Sequence, residues 1–317
     1  MNEQLQRQPQ RMTFSQYVNS ATGKALIANA IKSPAKREAF ITAIVSAVAT
    51  NPGLQECTAP SIISAALQGV ALGLAPSPQL GQFYMVPFEQ KEKKDRNGNV
   101  IQPECMIATF IPGYKGYIQL AWNSEKYVDI DAGPVLEGEY KGRDRFTGRP
   151  TFEWVEDYTQ AEQLPVVGYM AQFELVNGAK KVIYWPKEKM IAHADRYSPA
   201  FSREATAGRN PKVSFADYEA RNYPKSDEWK YSSFWYKDFD AMAQKTMLRQ
   251  LITKWGPMSV EMESAVLQDM QAEADGVDYD VGFADAAIPD VPVLDVEIMG
   301  ESTKRPGDKE QVGLDDL

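Results

Sequence analysis

The residues best placed to do chemistry stand in one run, Ser233 to Pro257. Lys245 and Arg249 are four residues apart, which on a helix sets one above the other, with Thr246 and Thr253 beside them. Neither has an acid four residues away. Two cations on a mostly buried helix need partners from elsewhere, and two kinds fit: remote carboxylates in buried salt bridges, or phosphates.

Aromatic side chains interleaved with cations recur along the chain. They form Tyr114-Lys115-Gly-Tyr117, Tyr140-Lys-Gly-Arg143-Asp-Arg145-Phe146, Arg221-Asn-Tyr223-Pro-Lys225 and Trp229-Lys230-Tyr231, followed by Trp235-Tyr236-Lys237. Proteins that hold single strands pair phosphate-neutralising Lys and Arg with ring faces, where a stacked base contributes about 1–3 kcal/mol. One such cluster reads as core rings beside solvated cations. Four of them, together with Lys245 and Arg249, favour binding. Gly113 and Gly116 would let a strand come close and offer N–H groups to a phosphate, unless they only make a tight turn.

Other chemistries lack their parts. Gly23-Lys24 has neither the leading glycine nor the hydroxyl of a phosphate-binding loop, and no G-x-G-x-x-G follows a strand, so neither ATP nor any other cofactor is expected. Asp131 with Glu139-Tyr-Lys141 has the outline of a Mg²⁺-dependent nuclease site and stands as the enzymatic alternative. A third reading is a self-assembling structural protein whose rings form subunit interfaces. The one histidine, His193, has no nucleophile motif around it and reads as structural. Cys57 and Cys105 are too few for a disulfide scaffold or a Cys/His zinc cluster, and both read as reduced.

Elements must position these groups. Good helix formers from Phe239 to Trp255, stopped by Gly256-Pro257, predict a helix with apolar residues on nearly every side, hence largely buried. At the front, helical spacing runs from Phe14 to Ile31, from Ser33-Pro34 to Asn51, and from Ser61 to Gly73. After Pro78 the period changes to that of strands. Phe83–Phe88 and Met106–Ile111 flank a charged tip with an Asn97-Gly98 turn, and Tyr114–Trp122 predicts a short helix. Further strands are expected at Val128–Leu136, Thr151–Glu156, Val166–Leu175 and Lys180–Trp185, the last two joined at Asn177-Gly178. Pro186 to Ala194 predicts another helix. Asp195 to Tyr231 has no periodicity, and a loop of that length is usually functional or disordered.

The net charge of −9 is unevenly spread. Residues 271–317 carry thirteen of the 43 acids and three of the 34 bases, leaving 30 acids and 31 bases in residues 1–270. The body is near neutral and the acidity is a tail, expected to be disordered, with Ile288 and Val291–Leu294 as docking points. Residues 1–12 are Gln/Arg-rich and expected to be disordered. No run approaches the roughly 20 apolar residues of a membrane span, and the first residues lack an apolar signal core, so a cytoplasmic protein is expected.

The pattern Phe239-x-x-Met242-x-x-Lys245-Thr246-x-x-Arg249-x-x-x-x-Lys254-Trp255, after an aromatic lead-in, resembles the C-terminal core helix of the RecT family of phage single-strand annealing proteins. Gln68–Pro76 with Gln82–Phe88, and Pro112–Ala121, are similar to two further segments of that family, in the right order over residues 35–260. The resemblance implies an α+β fold with a small antiparallel sheet packed with helices, a RecT/Redβ-like annealing core. It implies a helical part at 13–75, a β-rich part at 80–186, and a loop with the core helix at 187–262, followed by the tail at 271–317. It also implies ATP-independent binding of single-stranded DNA and its annealed duplex, and a homo-oligomer that is a ring or a helical filament. A cognate exonuclease and a host single-strand binding protein are the implied partners. By matching positions, Lys245, Arg249 and Lys115 are expected on phosphates and Thr246 and Gln119 as hydrogen-bond donors. Tyr114, Tyr117, Trp122 and Tyr84 are expected as stacking or groove-wall residues. Arg209, Lys212, Arg221, Lys225 and Lys237 complete the expected DNA-binding set.

Overall fold

Short polar side chains start the front helices. The hydroxyls of Thr13, Ser20 and Ser33 accept from the N–H groups of Gln16, Gly23 and Lys36, capping α1 (Phe14–Asn19), α2 (Ala21–Ala30) and α3 (Pro34–Thr50). The helix expected over residues 14–31 is therefore two, broken where Ser20 takes extended backbone. Gly23 permits the sharp corner, because a Cβ there would lie 2.3 Å from the Tyr17 carbonyl oxygen. Asn51 then caps α4 (Pro52–Glu56), and α5 (Ala59–Ala71) buries Ile62, Ile63, Ala65 and Ala66. Cys57 is buried beside these helices, and burial pushes its thiol up to about 12.

The computed structural model describes residues 12–274, so the expectations for the Gln/Arg-rich start and for Ile288 and Val291–Leu294 lie outside the described residues. Beyond the front helices, β1 (Phe83–Gln90) leads to a small ribbon, β2 (Lys93–Lys94) and β3 (Val100–Gln102), and returns as β4 (Cys105–Pro112). β1 and β4 pair antiparallel, Phe83 opposite Pro112. At the ribbon's tip the Asp95 carboxylate accepts from the Asn99 side-chain amide and then from the backbone N–H groups of Asn99 and Asn97, which holds its carboxyl below the usual range. α6 (Tyr114–Asn123) follows immediately.

Next come β5 (Tyr127–Leu136), β6 (Tyr140–Arg143), β7 (Pro150–Phe152), α7 (Tyr158–Ala161), β8 (Val166–Leu175) and β9 (Lys180–Pro186). β5, β8 and β9 form a three-stranded antiparallel sheet in that order, and β6 pairs with β7 alone. Residue types alternate as the period of two requires: Ile130, Ala132, Ala171 and Phe173 are buried, while Asp129, Asp131 and Gln172 are exposed. The predicted Asn177-Gly178 turn is present, with Gly178 at φ +82°. Strand β6 has no counterpart among the predicted strands.

The chain closes its core with α8 (Lys187–Tyr197), α9 (Phe215–Glu219), α10 (Phe234–Lys237), α11 (Phe239–Trp255) and α12 (Val260–Ala274). α11 lies across the three-stranded sheet and against α6, and α12 packs on β4 and α6. The architecture is α+β, with small antiparallel sheets packed with helices, as the sequence implies. Helix α12 has no counterpart among the predicted elements. The aperiodic segment from Asp195 to Tyr231 is ordered by its rings. Phe201, Phe215, Tyr218, Tyr223, Tyr231 and Tyr236 meet with centroids 4.8–6.3 Å apart, which buries Tyr231 and Tyr236 and half-buries Tyr223, three of the aromatics that the sequence set beside cations.

Candidate nucleic-acid interface

Asp238 caps α11 by accepting from the Ala241 N–H at 3.0 Å, and the helix is wrapped by core contacts, with Met247, Leu248, Leu251 and Ile252 fully buried. Lys245, Thr246 and Arg249 are buried with them, at 5%, 4% and 7% exposure. Of the two partner types open to these cations, the structure supplies the carboxylate. Asp269 of α12 is fully buried; its Oδ1 lies 2.6 Å from Lys245 Nζ and its Oδ2 3.0 Å from Arg249 Nη1. The Tyr117 hydroxyl donates to Oδ2 at 2.9 Å. Burial alone would raise the Asp269 carboxyl pKa, and the charges of Lys245 and Arg249 outweigh that and hold it below the usual carboxylate range. Tyr117, expected as a stacking ring, is fully buried and serves through its hydroxyl instead. Lys245 and Arg249, expected on phosphates, are thus both ion-paired to a protein carboxylate.

The start of α6 is set by close packing. A Cβ on Gly113 would lie 2.2 Å from the Gly81 carbonyl oxygen, and one on Gly116 2.0 Å from that of Gln82. The Gly113 N–H donates to the Gln82 carbonyl and the Gly116 N–H to the Gly113 carbonyl, both at 3.0 Å. The two glycines fit chain against chain, and their N–H groups serve the fold rather than a phosphate. This packing gathers Tyr84 and Lys115 over Gly81, while Gln119 donates to Asn123 at 2.8 Å. Lys115 sits 5.8 Å from the Tyr114 ring, and Trp122 is 53% exposed further along α6. Five of the expected residues, Tyr84, Tyr114, Lys115, Gln119 and Trp122, therefore share one corner.

The remaining expected cations are dispersed. Arg209, Arg221, Lys225 and Lys237 are exposed. Lys212 is half-buried, donating to the Ala200 carbonyl with its ammonium 5.2 Å from the Tyr236 ring, a contact that staples the loop to the ring cluster.

A second basic and aromatic face lies where β9, α8 and the end of α11 meet. Trp185, Lys189, His193 and Tyr197 follow at steps of four, so they line one side of α8 and the strand end before it. Lys189 Nζ lies 4.0 Å from the Trp185 ring centroid, and His193 lies 5.5 Å from Trp185 and 4.6 Å from Tyr197. Beside them Lys181 Nζ sits 3.7 Å over the half-exposed ring of Trp255. Burial, then the charges of Lys254 and Arg143, lowers the Lys189 pKa. Burial, then Arg249, Lys189 and Lys254, pushes His193 down to about 4. In both cases burial acts first and neighbouring positive charge adds to it. Among the described residues none of Lys181, Lys189, Lys254 and Arg143 has a carboxylate within ion-pairing distance. Of this face the sequence reading singled out Arg143, within a cluster, and Lys254-Trp255, within the core-helix pattern. The ladder of four-residue steps through the predicted helix was the signal that could have found the rest.

The nuclease alternative loses its central carboxylate. Glu139 is 4% exposed, and its two oxygens accept from the N–H groups of Leu136 at 2.7 Å and Val155 at 3.1 Å, locking the turn between β5 and β6. Lys141 pairs with Glu153 at 3.0 Å, and Asp131 accepts from the adjacent Ala132 N–H. Among the described residues no helix is long and apolar enough to cross a membrane.

Comparison with known proteins places the chain among relatives. Residues 38–280 match the RecT family. The chain is 32% identical over 231 residues to the uncharacterized protein YqaK of Bacillus subtilis strain 168, covering 73% of this chain and 63% of that one. It is 26% identical over 258 residues to Protein RecT of Escherichia coli strain K12, covering 80% of this chain and 78% of that one. The chain thus spans less than two thirds of the length of YqaK.

Proposed function

This chain belongs to the RecT family, and from that premise we propose that it is a DNA-recombination protein that binds single-stranded DNA and anneals complementary strands without ATP, as a homo-oligomer. The observation that carries the reading is the face of Lys181, Lys189, Lys254 and Arg143, interleaved with Trp185, Trp255 and Tyr197. Among the described residues these cations have no carboxylate within ion-pairing distance, so an incoming phosphate backbone would stabilise them, and the adjoining ring faces accept any base. The corner of Lys115, Gln119, Tyr84, Tyr114 and Trp122 is a second stretch over which the strand could run, with exposed Arg209, Arg221, Lys225 and Lys237 as outlying contacts. Annealing needs no covalent catalyst. It needs a backbone held and base edges left free, and a face that binds through phosphates and ring stacking supplies both. The family suggests an exonuclease and a single-strand binding protein as partners, and cytoplasmic work follows from the same reading.

The test follows annealing of two complementary labelled oligonucleotides by fluorescence in EDTA without ATP. Wild type is expected to anneal. Lys189→Ala with Lys254→Ala is expected to lose most single-strand affinity at moderate salt and to flatten its salt dependence by about 1.4 in log–log slope, two single-strand phosphate contacts at about 0.7 each. Annealing unchanged in a folded double variant would overturn the assignment of this face.

A further inference from the structure

The Lys245–Arg249–Asp269 cluster is more than an ion pair between two packed helices. Its donors present the pattern of a phosphate clamp: an ammonium on one oxygen, and a guanidinium with a hydroxyl on the other. A phosphodiester offers the same two non-bridging oxygens. The carboxylate that fills the clamp comes from the last described helix, whose other buried side chains among the described residues are few. On its inner side α12 buries Met262, Ala265, Val266, Asp269 and Ala272, two larger apolar side chains and two alanines, whereas Val260, Leu267 and Met270 are 78%, 60% and 54% exposed. Small side chains bury little apolar area, so the ionic contact carries an outsized share of the docking.

The attachment of α12 is suited to a pivot. The Tyr127 hydroxyl donates to the Pro257 carbonyl at 3.0 Å, fixing the chain at the end of α11, and the Ser259 hydroxyl accepts from the Met262 N–H to restart the helix. Only Met258 and Ser259 lie between the fixed point and α12. The clamp shares its helix with the face described above, since Arg249 stands five residues before Lys254 on α11.

We propose that Asp269 stands in for a DNA phosphate, and that α12 is a displaceable plug: a bound strand exchanges its phosphodiester for the Asp269 carboxylate and releases α12 from β4 and α6. This rests on the single-strand binding proposed above. Exchange keeps the buried cations paired at both ends of the step, which simple opening would not. It also makes groove opening depend on an anion being present.

The experiment is hydrogen exchange of the full chain with and without saturating single-stranded oligonucleotide. The α12 amides are expected to lose protection when DNA is bound, and α11 to keep it. Two variants sharpen the test. Asp269→Asn is expected to bind single strands several-fold more tightly. The apolar triple Lys245→Met, Arg249→Met, Asp269→Leu keeps α12 docked without a clamp, and is expected to show no release and a salt slope shallower by about 1.4. Binding that depends on Lys189 and Lys254 while α12 stays protected would overturn the exchange and leave the functional reading intact. Absence of single-strand binding by wild type would overturn both. Should Asp269→Asn fail to fold, the wild-type exchange and the apolar triple still decide the matter.

Discussion

His193 shows what one residue in this face does to the whole. Held between Trp185 and Tyr197 and near three cations, it titrates at about 4 in the folded chain against an ordinary 6.5. The folded pKa is depressed for a base, so the unfolded chain takes up the proton first as pH falls. Stability contributed by the neutral ring is present above about pH 6.5 and is lost progressively down to about pH 4. His193→Gln is expected to flatten the midpoint of urea denaturation across that window, by an amount on the order of 1–3 kcal/mol at its acid end. An unaltered pH dependence would show that the ring is not shielded as described. The same residue explains a limit of sequence reading. A lone histidine without a nucleophile nearby reads as structural, and it is; what cannot be read is that its surroundings are cationic, because Arg249 and Lys254 come from a helix more than fifty residues away.

At the scale of elements, α6 is where local sequence and tertiary packing agree least obviously. The Gly113 and Gly116 pair reads equally as a turn or as a phosphate cradle, and the structure shows a third use, an approach of the helix start to residues 81 and 82 too close for any Cβ. Gly116→Ala must move the Gln82 carbonyl or the helix itself, and overpacking of this kind costs typically 1–3 kcal/mol. It is expected to lower thermal stability and, because Lys115 and Gln119 ride on α6, to weaken single-strand binding in parallel. Retained stability in a calorimetric scan would mean that the helix can shift freely. Helix α11 was legible from its formers and its Gly-Pro stop, and the Asn177-Gly178 hairpin from its turn chemistry. Helix α12 was not, because its buried face sets only Met262 and Val266 among alanines and one acid, while Val260, Leu267 and Met270 stand exposed and blur the apolar period. That omission left Asp269 unseen, and with it the partner that decides between the two readings of Lys245 and Arg249. The Asp195–Tyr231 segment failed for the opposite reason: its order is ring against ring across long separations, with no period to read.

For the molecule as a whole, the charge divides cleanly at the end of α12. Residues 275–317 hold twelve acids and three bases, so the remaining 31 acids and 31 bases of residues 1–274 cancel and the full −9 belongs to the C-terminal segment. A neutral body that binds DNA must do so by placing its cations, not by outnumbering its acids, and a strongly acidic segment on the same chain would compete with DNA for them. Truncation after Ala274 is expected to tighten single-strand binding at low ionic strength, with the gain shrinking as salt rises toward 0.2 M and the Debye length falls below about 10 Å. Equal affinities at low salt would assign the segment to protein partners alone. The cut belongs after Ala274, since Ala272 is part of the buried side of α12.

The stack of Lys181 on Trp255 has one more consequence. An indole half in water, with an ammonium fixed 3.7 Å above its face, emits light whose colour and intensity depend on that charge and on what displaces the water. Trp185 lies under Lys189 in the same way. The chain has six tryptophans in all, and three of them, Trp122, Trp185 and Trp255, lie on the proposed strand path, so the protein carries its own fluorescent label at the place where the strand would lie.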